Sequence, residues 1–512
     1  MVPGRATVVA RLRKAWWVRD RLWLLIALAV LLGVGRGLAY SATGNRRAAA
    51  RPAPSSAASP SPSPSPSHSP SPSPSPSPSA SASPRLFSSP PPEAGGDPGA
   101  SDDAPSEAQL AACVTRGVTL EELGSAPVEA DDAAGQVTVI TDRVEALRGL
   151  PEREPVAAGF LTGEEIEERA SELIGQDYTA ADADLDRRLL AALGAVPADI
   201  DLLAAQSELV SGQIAGYYDT DASELVVRAD DPSQTLPPGE QVTLAHELTH
   251  ALADQAFGLD LPEDRPADEQ AASVALVEGD AVLAMERFSL EAFDLAEQQQ
   301  MAADPEIAEA GEQLEDFPHV LTASLLFSYA EGLGFVCDRY AEGGWAAVDA
   351  AYEDRPTTTA EIMFPGRYPT AAIAPRPVPQ AGGAWEVARE DTLGAADLLW
   401  LFEAPGDDLA SALDEPRDRA ADWAGGTYAL STDGDASALG VALVAVEGRG
   451  ADLCASASTW YDAAFSDAAP ASAQAAELAR DGAEQDAVLT CEADEVRLGI
   501  APDLATAATL AG

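Results

Sequence analysis

Cysteine, histidine and basic residues are all scarce in this chain. Four Cys in 512 residues exclude a disulfide-dense scaffold, and none stands in the CxxC spacing of a metal site. In an exported protein four Cys allow three pairings; Cys454 and Cys491 lie closest in sequence, leaving Cys113 for Cys337. Only 31 Lys and Arg face 84 Asp and Glu, for a net charge of −53. Ten of those bases fall within residues 1–51 beside a single acid, Asp20, so the remainder is more acidic than the whole. Such a surface repels nucleic acid and excludes it as a partner. The acidic pairs Asp219/Asp221 and Asp433/Asp435 read as hairpin turns before they read as calcium ligands.

The missing bases are concentrated at the start. Residues 1–21 form a basic segment, followed over 22–40 by an apolar run that fits a transmembrane signal anchor or a cleaved signal peptide. No Cys follows it, which excludes a lipid-modified N-terminus, and no second apolar span is read. The expected location is the cell membrane, single-pass, with the C-terminal part outside; cleavage near Ala39-Tyr40-Ser41 would instead release a secreted protein. Residues 41–105 read as a disordered stalk. Its Ser, Pro and Ala cannot build a core, and Pro52–Pro92 in polyproline II would reach about 130 Å at ~3.1 Å per residue.

Globular patterning starts at 106. Helical periodicity marks 135–150, 163–174, 185–195, 240–257, 267–295, 320–340 and 391–402, and strands are expected at 155–161, 213–218, 224–228, 427–432 and 438–446. The class is α+β, with a main domain over 106–380 and a small C-terminal α+β subdomain over 381–512.

Against four histidines in all, two stand in His246-Glu247-Leu248-Thr249-His250. With His this rare, roughly 0.003 chance HExxH matches are expected. On a helix, imidazoles four residues apart project from one face across a gap that one Zn²⁺ can fill. Pro237-Pro238-Gly239 breaks the chain just before, and the wheel gathers Leu244, Leu248 and Leu252 opposite His246, Glu247, His250 and Asp254. The bland alternative is two ordinary histidines on a surface helix.

A hydrolytic zinc takes a third protein ligand and leaves the fourth position to water. The other histidines, His68 in the stalk and distant His319, are poorly placed, so a carboxylate is expected. The helix from 267 offers Asp268, Glu269, Glu278, Asp280 and Glu286. Glu278 falls among Ala271, Val274, Ala281, Val282 and Met285, where a carboxylate is costly unless a cation compensates it.

HELTHALADQAFGL resembles the active-site helix of the thermolysin-type gluzincins, and ALVEGDA resembles the Glu-Gly element that carries their third ligand. With GYYD before and TTAEIMFPGRYP after, the ensemble is similar to exported bacterial proteins described no further than as metallopeptidases. The resemblance covers about 137–428. It implies a zincin-like fold and a zinc endopeptidase with His246, His250 and Glu278 as ligands and Glu247 as general base for zinc-activated water. The thermolysin pattern has an Asn before the ligand Glu and an Asp four residues after it; here Val277 and Val282 stand there. Asp254, Asp268 and Asp280 are therefore open candidates to orient the histidines. Tyr329, His319, Tyr217 and Tyr218 are candidates to stabilise an oxyanion. The expected partner is a peptide or protein substrate, paired along the strand before the helix. Two other readings stay open: a stalked surface-binding module that has lost activity, and a zinc-dependent amidase of cell-wall peptides.

Overall fold

The computed structural model describes residues 104–512 except 120, 212, 213, 215, 221, 261, 263, 264, 365, 371, 372, 374, 375, 474 and 475. The expected basic segment, apolar run and all but the last two residues of the stalk lie outside the described residues.

In chain order the first half contains α1 (Glu107–Val114), α2 (Ala133–Arg148), β1 (Ala157–Leu161), α3 (Gly163–Asp177), α4 (Ala180–Ala192), α5 (Leu202–Ser211), β2 (Gly216–Asp219), β3 (Glu224–Arg228), α6 (Pro238–Phe257) and α7 (Ala267–Ala292). There follow α8 (Leu295–Ala302), α9 (Pro305–Gln313), α10 (His319–Gly343), α11 (Trp345–Glu353) and α12 (Thr359–Met363). The last part holds β4 (Glu386–Thr392), α13 (Ala395–Glu403), α14 (Pro416–Ala420), β5 (Trp423–Asp433), β6 (Ala436–Ala445), α15 (Gly450–Ala464), β7 (Ala469–Pro470), β8 (Leu478–Asp481), β9 (Asp486–Glu492), β10 (Glu495–Ala501) and α16 (Leu504–Ala511). The fold is α+β.

Three strands form the first sheet, in the order β1-β3-β2. β1 runs parallel to β3 and β2 antiparallel to it, with Gly216 opposite Val227 and Asp219 opposite Glu224. Leu225, Val226 and Val227 are buried in succession, as a central strand covered on both faces requires. β2 lies at the edge. α6 opens with Pro at its first turn, where the missing N–H costs no helical bond.

The wheel divides α6 into a core face and a chemical face, and the structure corrects the implied exposure: every residue from Gln241 to Ala253 is buried. The chemical face packs inward, against α7 and β2. α7 in turn crosses α10 with the two backbones in contact. A methyl on Gly279 would overlap the carbonyl of Gly332, and one on Gly332 would overlap the carbonyl of Ala275. Helices approach this closely only where side chains are absent from the crossing. α10 is long and apolar enough to cross a membrane by composition, contrary to the expectation of no second such run, but 72% of that window is buried within the protein. Its apolarity serves the core.

The second sheet has seven strands in the order β4-β5-β6-β10-β9-β8-β7, every neighbouring pair antiparallel. The Asp433/Asp435 pair does form a turn, between β5 and β6, with Gly434 at φ 61° supplying the left-handed residue. The helix expected from 391 starts only at Ala395, because the chain through Thr392 still pairs with β5. Beyond 446 the expected α+β subdomain has no element assigned from sequence; the structure places α15, four strands and α16 there. The whole second sheet follows residue 380, yet one hydrophobic core runs from Leu110 to Ile500 and the described residues fall in a single unit. Disulfides join Cys113 of α1 to Cys337 of α10 and Cys454 of α15 to Cys491 of β9.

Candidate metal centre

α6 and α7 bring three donor atoms to one point. Nε2 of His246 lies 3.1 Å from Oε2 of Glu278 and 2.9 Å from Nε2 of His250; Nε2 of His250 lies 3.5 Å from the same carboxylate oxygen. Tetrahedral ligands at zinc distances of ~2.0–2.1 Å stand about 3.3–3.4 Å from one another, so the triangle matches the size of that ion. All three side chains are at most 1% exposed. Among the described residues this is the one group of His, Cys, Asp and Glu side chains that could hold a metal ion.

The electrostatics fit a cation as well. Burial drives the His246 imidazole down to about 4, with His250 beside it adding to the effect. Burial also takes His250 down to about 3. Both rings are neutral at pH 7, the state in which imidazole ligates a metal. Burial pushes Glu278 and Glu247 upward, and Glu278 raises Glu247 further. Oε1 of Glu278 is buried with no hydrogen-bond partner, and the buried Glu247 carboxylate has no side-chain partner and meets only the Tyr218 backbone. Unpaired carboxylate oxygens in an apolar interior carry a heavy desolvation cost that a divalent ion offsets. The residues fit zinc.

No family model matches the chain, and no curated protein or solved structure matches it either. The site therefore stands on its own geometry.

Glu247 follows His246 on α6 and faces β2: a Cβ on Gly216 would sit 3.9 Å from Glu247 Cγ and 3.0 Å from the carbonyl of Val226. Glycine at 216 keeps this approach open. Of the oxyanion candidates, Tyr329 is at the site. Its ring centroid is 6.2 Å from that of His246, it is 1% exposed, and burial together with Glu278 and Glu247 holds its phenol protonated. The Gly279/Gly332 crossing puts it there, since Tyr329 precedes Gly332 by one turn.

The other candidates are committed elsewhere. His319 starts α10, ten residues or about 15 Å of helix rise from Tyr329, and its Nε2 pairs with Glu403 at 3.0 Å. Tyr217 is fully buried in β2 and faces Arg169, Asp219 and Glu224. Tyr218 donates its hydroxyl to Asp254 at 2.9 Å. Asp254 also accepts the N–H of Leu259, closing the end of α6, and it faces His250 electrostatically. Asp268 accepts the N–H and hydroxyl of Thr359 at 2.9 and 2.6 Å. Asp280 accepts Nε of Arg148 at 2.6 Å and the hydroxyl of Tyr352 at 2.9 Å, and its charge acts on His250 more strongly than that of Asp254. None of these three carboxylates shows a hydrogen bond to a site imidazole among the described contacts, and Nδ1 of His246 has no partner.

The sequence gives no sign of Arg148, which is fully buried against Asp280 with the Trp345 ring 4.6 Å from its guanidinium. An arginine in the last turn of a helix reads as an ordinary solvated end. Only the pairing across 132 residues separates it from the rest.

Proposed function

We propose that the chain is a zinc-dependent endopeptidase acting outside the membrane, with His246, His250 and Glu278 as metal ligands and Glu247 as general base. The observation that carries this reading is the convergence of three buried donor atoms beside a buried Glu247 carboxylate that has no side-chain partner. A structural zinc site has no use for that fourth side chain. A three-stranded sheet with a free edge beside the HExxH helix, followed by a helix bringing the acidic ligand, supports a zincin-like description of 106–380.

Zinc, when bound, supplies Lewis acidity to a carbonyl and brings water within reach of deprotonation near neutral pH. Glu247 takes the proton of the attacking water and passes it to the departing amine nitrogen. Tyr329 donates its hydroxyl toward the carbonyl oxygen as charge builds there. β2, at the edge of its sheet, offers its main chain to an extended peptide, giving affinity with little demand on side chains. Since every site side chain is at most 1% exposed, a peptide reaches Glu247 only after the elements over it part. That burial is also what favours the second reading, a surface-binding module without turnover.

The basic head and apolar run support anchoring, with the globular part held outside. Protease added to intact cells should then remove the globular part, and recovery of the protein only in the cytoplasm would refute the placement. Metal analysis of the purified protein tests the site: one zinc per chain is expected, and a metal-free protein that still cleaves peptides would overturn the assignment.

A further inference from the structure

We propose that Asp268, Asp391 and Asp397 form a proton-holding clasp between the start of α7 and the C-terminal sheet, firm in acid and weakened as pH rises. The three carboxylates come from three elements that meet at one knot of backbone. Asp268, the second residue of α7, takes two hydrogen bonds from Thr359 of α12, while its own N–H goes to the Thr392 hydroxyl at 3.0 Å. Asp391 of β4 accepts the N–H of Ala267 at 2.9 Å. Asp397 of α13 accepts the N–H of Gly394 at 2.7 Å, and its second oxygen is buried without a partner. A methyl on Gly394 would overlap the Asp268 carboxylate, so α13 begins pressed against it.

Counter-charge is short here. Glu361 faces Asp268 from α12, and Tyr428 faces Asp391 and Asp397 from β5. Among the described residues the base acting on the group is Arg389 of β4, itself buried and paired with Asp186 of α4. Like carboxylates crowded in an apolar setting cannot all ionise. Burial pushes Asp268 up to about 7 and Asp397 up to about 8, with Asp268 and Asp391 adding to the latter. In the unfolded chain each titrates near ~3.9. Between those limits the folded protein holds more protons than the unfolded one, so its stability falls as pH rises from about 4 to about 8 and levels off above. The clasp grips the N-terminus of the helix that carries Glu278, yet the inference requires neither zinc nor turnover.

The test is heat unfolding of the intact, zinc-loaded protein at pH 5 and pH 8.5, wild type beside Asp397→Asn and Asp268→Asn. The wild-type midpoint should fall between the two pH values, and each Asn variant should show a clearly smaller fall and a higher midpoint at pH 8.5. Variants that lose as much as the wild type would overturn the clasp. Should a variant fail to fold, the infrared carboxylic-acid band of the wild type decides: it should persist at pH 6 and vanish by pH 9. Its absence at pH 6 would refute the proposal.

Discussion

Glu278 and Asp280 stand two residues apart on α7 and are both fully buried, yet they meet different partners. Glu278 faces two imidazoles at contact distance, whereas Asp280 neutralises Arg148 and reaches His250 only through its charge. Their removal should therefore fail in different ways. Glu278→Ala should fold and lose most of its zinc, measured by metal analysis after dialysis. Asp280→Ala strands a buried guanidinium and should cost about 3–5 kcal/mol of unfolding free energy, read from denaturant titration. Zinc retained in full by Glu278→Ala would remove it from the ligand set. At this scale the sequence was legible where chemistry restricts the choice of residue. Histidines four apart and a carboxylate on an apolar stripe point to one another through helix geometry. The role of Asp280 was not legible, because nothing local distinguishes an acid that pairs with Arg148 from one that serves a histidine.

Among the elements, the α7/α10 crossing does most to assemble the site, since it sets Glu278 beside Tyr329. Its cause is two glycines. Gly332→Ala should destabilise the protein by more than the ~1 kcal/mol that alanine ordinarily gains over glycine within a helix, reversing the usual sign, because the added methyl meets the carbonyl of Ala275. The loss would appear in thermal melts; an unchanged or raised midpoint would show that the helices can separate at no cost. The long helices were readable from periodicity, and the β3 register follows its run Leu225-Val226-Val227. The C-terminal strands were harder. A short apolar run such as Ala487-Val488-Leu489 does not tell a strand from a helix segment by periodicity, and β4 hid behind the helix that follows it closely.

For the molecule as a whole, two disulfides tie distant segments together, the first across 224 residues and the second across 37. Closing a loop of the second size removes unfolded-state entropy equivalent to about 4 kcal/mol. Reduction should lower the melting temperature, and the paired replacement Cys454→Ser with Cys491→Ser should reproduce part of that drop without changing zinc content. A reductant with no effect on melting would contradict the bridges. The expected boundary at 380 falls between the two sheets, but a continuous core crosses it and was not visible in the sequence, since contacts such as Arg389 with Asp186 link residues about 200 apart. The acidity of the chain argued against nucleic acid as a partner but carried no information about topology.

The account depends most on Glu247. Its carboxylate is buried beside the three donor atoms with no side-chain partner, next to β2, and the proposal gives it the proton transfer of peptide cleavage. Glu247→Gln keeps the size of the side chain and removes the base. The decisive measurement is turnover of an unstructured protein by wild type and Glu247→Gln, each with its zinc content determined and each repeated with a chelator. The wild type should cleave and stop when chelated, while Glu247→Gln should hold near-native zinc and lose at least ~10²-fold in rate. Cleavage that survives both the substitution and metal removal would contradict the account.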